Sequence, residues 1–165
     1  MQSWDTANKA GLTNDYSVCS TWLVRDETYF LLDIFRERLE FPALRRKVIE
    51  HASLWRADRL VIEDAASGEA LLQELASRPP GATWWAEPIH FDKDKVLRAE
   101  ANSVPIENGQ VYLPRKAPWL DALCQEIRHF PRGAHDDQVD SISQFLAWVR
   151  TRIKYATKLN ATFPY

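Results

Sequence analysis

"DYSVCSTWLVRDETYFLLDIFRERL", residues Asp15–Leu39, decides the fold class. Tyr16, Val18, Ser20, Trp22 and Val24 alternate with small or thin polar residues, the two-residue period of a strand. Arg25-Asp26-Glu27 interrupt the alternation, and a second β-rich run follows from Thr28 to Phe35. The stretch predicts a hairpin. Upstream, Gln2 to Asp5 form a short strand followed by the small residues Thr6 and Ala7. Three antiparallel strands therefore occupy the first 35 residues.

Beyond Leu39 the period changes. "FPALRRKVIEHASLWRA" (41–57) sets Leu44, Val48, Ala52 and Trp55 on one helical stripe, with Pro42 in the first turn. "RLVIED" (59–64) is an apolar run too short for a helix, as a buried central strand should be. "SGEALLQELASR" predicts a helix ended by Pro79-Pro80-Gly81, and "TWWAEPIHF" an edge strand because of Pro88. Residues Asp92 to Ala101 read as a basic helix. "SVPIENGQVYLP" carries Asn108-Gly109, a strong hairpin signal. "APWLDALCQEIRHF" is a helix with Pro118 in its first turn, and a last helix runs from about Asp136 to Lys154. The reading is α/β: a mixed central sheet, its first three strands antiparallel, flanked by helices. Residues 1–154 form one domain and 155–165 a C-terminal tail.

Composition narrows the function. The 165 residues are 45% hydrophobic and 27% charged, the balance of a globular protein in water. No run is apolar enough to span a membrane and no secretory leader opens the chain, which points to the cytoplasm. Cys19 and Cys124 lack the spacing of a zinc site and read as reduced thiols. A net charge of −2 excludes a uniformly basic nucleic-acid binder. Local basic patches remain at Arg45-Arg46-Lys47, at Lys93, Lys95 and Arg98, at Arg115-Lys116, and from Arg150 to Lys158.

The acids carry the chemistry. In "GAHDDQVDSISQFLAWV" (133–149), Asp136, Asp137 and Asp140 crowd one helical turn. Helix N-termini favour negative side chains, but three exceed what capping requires. Val139, Ile142, Leu146, Val149 and Ile153 form a stripe facing the core, and the aspartates fan away from it within roughly 100° of arc. Asp5 closes the first strand. Glu63 closes "LVIE", with Asp64 next. If those strands are neighbours, Asp5 and Glu63 lie side by side where sites of open α/β sheets gather, and the helix start completes the cluster. Asp5 also suits a turn and Asp64 an N-cap, whereas Glu63 at a buried strand end needs a partner or a metal. Carboxylates, with His135 as the nearby imidazole, select Mg²⁺ or Mn²⁺. Two such ions about 3.5–4 Å apart suit phosphodiester hydrolysis.

"SWDTA", "NDYSVCSTW", "FPALRRKV", "LVIEDAASGEALLQEL", "DKVLRA", "NGQVYLP", "WLDALCQEI" and "FPRGAHDDQVDSISQ" together resemble the C-terminal nuclease domain of bacteriophage large terminase subunits. The similarity runs in order over nearly the whole chain. It implies an RNase H-like fold and a two-metal endonuclease that cuts concatemeric viral DNA during packaging. Asp5 would be the first-strand catalytic aspartate, Glu63 the second acid with Asp64 assisting, and Asp136 or Asp137 the helix acid, with Asp137 the lead and Asp140 sharing the metals. The implied partners are double-stranded DNA, the terminase ATPase domain, the small terminase subunit and the portal protein. Lys93, Lys95, Arg98 and Arg115 are the expected phosphate contacts. No G-x-x-x-x-G-K-[ST] is present, so this chain should not hydrolyse ATP; it reads as an excised domain or a separately encoded prophage fragment. The alternatives are another RNase H-like nuclease, of resolvase or transposase type, and a non-catalytic docking remnant of a prophage terminase.

Overall fold

A computed structural model describes residues 1–6, 16–64, 67–90 and 95–162; for Lys95, Arg98 and residues 153–162 it describes the backbone alone. β1 (Gln2–Asp5), β2 (Ser17–Arg25) and β3 (Thr28–Glu37) form the expected antiparallel meander. The β2–β3 turn is tight: Asp26 and Glu27 take φ of 47° and 59°, the left-handed pair that matches strand twist in a two-residue hairpin.

α1 (Phe41–Leu54) leads into β4 (Arg59–Glu63), which pairs parallel with β1. α2 (Ser67–Ala76) then leads to β5 (Trp85–Ile89), parallel to β4 and on the sheet edge, where Pro88 is tolerated. Next come α3 (Lys95–Ala101), α4 (Val104–Glu107), β6 (Val111–Tyr112), α5 (Leu120–His129) and α6 (Asp137–Thr162). The strand order is β5-β4-β1-β2-β3-β6.

Strand alternation divides the core in two. Trp4, Cys19, Leu60 and Ile62 meet α1 and α2 through Leu44, Val48, Ala52, Leu71 and Leu75. On the other face Val18, Trp22, Tyr29, Leu31 and Ile34 meet α5 and α6 through Leu123, Phe145, Leu146 and Val149. The Trp22 and Phe145 rings stack at 4.1 Å. Both cysteines are free thiols, and burial pushes that of Cys19 well above its ordinary value. Among the described residues, no helix is long and apolar enough to cross a membrane.

Four local expectations change. Asn108-Gly109 does not turn a hairpin. Gly109, at φ 68°, follows the short helix α4, and the chain continues into β6, parallel to β3. Trp55 caps α1 half-exposed instead of joining its buried stripe, and the chain leaves the helix through Arg56 at φ 47°. α6 does not stop at Lys154 but runs to Thr162, into the expected tail. Its buried face is also different: Gln138, Ser141 and Gln144 are buried, while Val139 and Ile142 are only half-buried.

Candidate active site

Register builds the site. β1 and β4 run parallel with Trp4 opposite Ile62, so Asp5 and Glu63, the next residues along, end the two strands side by side. Asp5 is also opposite Val18 on β2, and Val18 is opposite Arg36 on β3. Trp4 and Ile62 face α1 and α2, so alternation turns Asp5 and Glu63 to the α6 face, where Val18 is buried. Glu63, Asp5, Val18 and Arg36 thus form one row across the sheet. At its β4 end, the Ser67 hydroxyl bonds the Thr6 hydroxyl at 3.0 Å, tying α2 to the residue after Asp5.

The start of α6 lies over this row, held by polar contacts. Ser141 Oγ donates to the Ser3 carbonyl at 2.9 Å and accepts the Ser20 N–H at 3.1 Å. Gln144 Nε2 donates to the carbonyls of Trp4 and Val61 at 3.1 and 3.0 Å. Small side chains at Ser3, Ser20 and Ser141 let the helix close on the strands. Each bond contributes about 0.5–1.5 kcal/mol, and together they fix the helix's position along β1.

Asp137 opens α6 one turn before Ser141 and is therefore turned toward the sheet. The expectation that it fans to the side and back of the helix fails because the polar Ser141–Gln144 face, not the Val139–Ile142 stripe, is buried. Its side chain is 14% exposed, with Arg36 Nη2 at 3.6 Å and His135 Nδ1 at 3.8 Å from Oδ2. Oδ2 is buried and, among the described residues, has no hydrogen-bond partner. Burial pushes the carboxyl up to about 6; Arg36 opposes that shift, and the charge of Glu126 adds to it.

Residues 2–147 match the family described as the terminase RNaseH-like domain. The chain belongs to that family. Among solved structures, the human cytomegalovirus terminase nuclease domain, Mn soaked and inhibitor bound, superimposes with a TM-score of 0.60 at 12% identity, over 90% of this chain and 81% of that one. The large terminase nuclease from thermophilic phage G20c gives 0.61 with bound cobalt and 0.61 with bound magnesium, at 17% and 18% identity. Both cover 88% of this chain and 81% of theirs. These likenesses establish the RNase H-like fold. No curated protein matches the chain significantly.

The donors of this terminase domain fit a hard divalent cation: carboxylates at the ends of neighbouring strands and at a helix start, one oxygen of them buried without a hydrogen-bond partner among the described residues. Among the described residues, no three His, Cys, Asp or Glu side chains form a ready-made ligand cluster, so the fit rests on donor type and placement. Asp136 precedes α6, and its carbonyl accepts the Asp140 N–H at 2.9 Å; both carboxylates belong to the first turn. Asp64 is not brought to the row. It meets His90 Nε2 at 2.9 Å and lines the groove between α2 and β5. Of the expected phosphate contacts, Arg115 is exposed between β6 and α5, and Lys95 and Arg98 are on α3. Lys93 lies outside the described residues.

Two residues escaped the sequence reading. Nothing in the local sequence pattern singles out Arg36 on β3 or Glu126 on α5. Glu126 is buried, accepting the N–H groups of Gln138 and Val139 at 2.7 and 3.0 Å and the Gln138 side-chain amide at 2.7 Å.

Proposed function

We propose that this domain is a divalent-metal-dependent endodeoxyribonuclease, the nuclease part of a terminase large subunit that cuts concatemeric viral DNA during packaging in the host cytoplasm. The observation that carries this reading is the row in which Asp5 and Glu63 end β1 and β4 side by side, with the first turn of α6 at its β3 end, where Asp137 Oδ2 is buried and, among the described residues, has no hydrogen-bond partner. Asp5, Glu63 and Asp137 would hold Mg²⁺ or Mn²⁺, with Asp136 and Asp140 sharing the ions. Bound there, the ions supply Lewis-acid stabilisation of charge on the phosphoryl oxygens and lower the pKa of water. The protein's part would be positional: strand pairing sets two acids at neighbouring strand ends, and the Ser141 and Gln144 contacts hold the helix that carries the third. The metals in the cytomegalovirus and G20c structures support this choice of ion. Family membership favours the terminase reading over the resolvase and transposase types. The ATPase domain, small subunit and portal protein are the partners it entails.

Nicking of supercoiled plasmid tests the proposal. Cleavage should require Mg²⁺ or Mn²⁺, stop with a chelator, and show little sequence preference. No cleavage with any divalent metal would favour a docking domain, and a strong preference for branched DNA would favour a resolvase.

A further inference from the structure

The acidic row has a cationic end. Arg36 and Arg38, two residues apart on β3, both lie against one aromatic ring: their Cζ atoms are 3.9 and 4.4 Å from the centroid of Tyr16. His135 meets the same ring edge-on at 5.2 Å. Two guanidinium groups on one ring concentrate positive charge there, held in place by cation–π attraction. That charge suits an anion bound between them. Arg36 Nε and Nη2 are buried and, among the described residues, have no hydrogen-bond acceptor; Asp137, at 3.6 Å, is beyond hydrogen-bond range. Beside them opens a cleft of about 380 Å³, lined by Arg36, His129, Arg132 and His135, and by Glu126, whose carboxylate is already engaged by Gln138 and Val139. A forked guanidinium with unsatisfied donors at the wall of an open cleft matches a phosphate group.

We propose that Arg36 and Arg38, supported by Tyr16 and Arg132, form a subsite for a backbone phosphate of the DNA strand being cut. β3 is two strand spacings from β1, about 10 Å, or roughly three nucleotides of axial rise from Asp5. The location relative to the cut rests on the nuclease reading. The phosphate contact does not.

The test is metal-free binding of a fluorescein-labelled DNA duplex, followed by anisotropy across a salt series in EDTA. Wild type is compared with R36Q/R38Q, with R38Q alone, and with R25Q at the distant hairpin tip as a charge control. Arg38 is exposed, so R38Q keeps the test valid if the double variant melts early. R36Q/R38Q should weaken binding about tenfold and lower the salt slope by about one, the signature of one lost phosphate contact. R38Q should move both in the same direction, and R25Q should leave both unchanged. Wild-type affinity and slope in folded R36Q/R38Q would overturn the subsite, as would an equal loss in R25Q. If wild type binds through these arginines but never cuts with metal, the subsite stands and the nuclease reading fails.

Discussion

Glu126 of α5 caps the N-terminus of α6 across the gap between the two helices, its Oε1 accepting the Gln138 N–H at 2.7 Å. Helix starts leave N–H groups unsatisfied, and neighbouring side chains of the same strand of sequence normally answer them. Here a buried carboxylate twelve residues earlier does so, beside Asp137. Glu126→Ala should destabilise the domain by about 2–3 kcal/mol, the cost of losing a charged cap and burying unpaired donors. Glu126→Gln should cost less. Urea denaturation measures both, and an unperturbed Glu126→Ala would mean that water replaces the cap freely.

Asp137 predicts a pH dependence of stability in the metal-free protein. Its folded-state carboxyl is raised from 3.8 to about 6, so the folded chain holds this proton more tightly than the unfolded one. Ionised Asp137 is therefore a cost, absent below about pH 4, building up between pH 4 and 6 and constant above that. Asp137→Asn should melt higher than wild type at pH 8 in EDTA, with the gain shrinking toward pH 4. A gain independent of pH would show that burial of this carboxylate is not its cause.

Gly68 is where α2 meets the end of β4. A Cβ there would come far inside van der Waals contact distance of the Glu63 carbonyl oxygen, so the backbone itself must move. Gly68→Ala should cost about 1–3 kcal/mol, as overpacking does, and should lower plasmid cleavage by displacing Glu63. Full activity with native melting would show that the strand end tolerates the shift.

The acids should differ in consequence. Asp5→Asn and Asp137→Ala should abolish cleavage, Asp136→Ala should lose much of it, and Asp140→Ala should raise the Mn²⁺ needed by roughly 10–100-fold, as an outer ligand would. Asp5→Asn should leave the fold intact, since it removes one of several like charges. Metal titrations of cleavage decide the ranking. A silent Asp137→Ala would move the principal role to Asp136.

Much of this was legible along the chain, because it depends on neighbours in sequence. The β2–β3 alternation, the apolar run at Leu60–Ile62, Pro88 on an edge strand and the acids at two strand ends are local patterns with local causes. Asn108-Gly109 was also legible as a reversal, but a reversal alone does not name the partner of the strand that follows. β3 supplied that partner from far upstream. Ser141 and Gln144 lie off the apolar stripe that the helical period marks. They are buried because strand carbonyls from Ser3, Trp4 and Val61 satisfy them, and those acceptors exist only in the assembled sheet.

Arg36 marks the boundary most sharply. The tight turn pairs Arg25 with Thr28, and uninterrupted pairing from there would set Phe35 opposite Val18 and turn Arg36 to the α1 face. A bulge between Thr21 and Trp22 in the register, with Leu32 as the extra residue on β3, brings Arg36 opposite Val18 instead. One inserted residue reverses every side chain beyond it, because strand faces alternate with a period of two. Sequence by itself determined the mixed sheet, the hairpin and the acids at the ends of β1 and β4. Tertiary structure alone decided that Arg36 joins their row and that Asp137 faces it, since both depend on the packing of strands and helices distant in the chain.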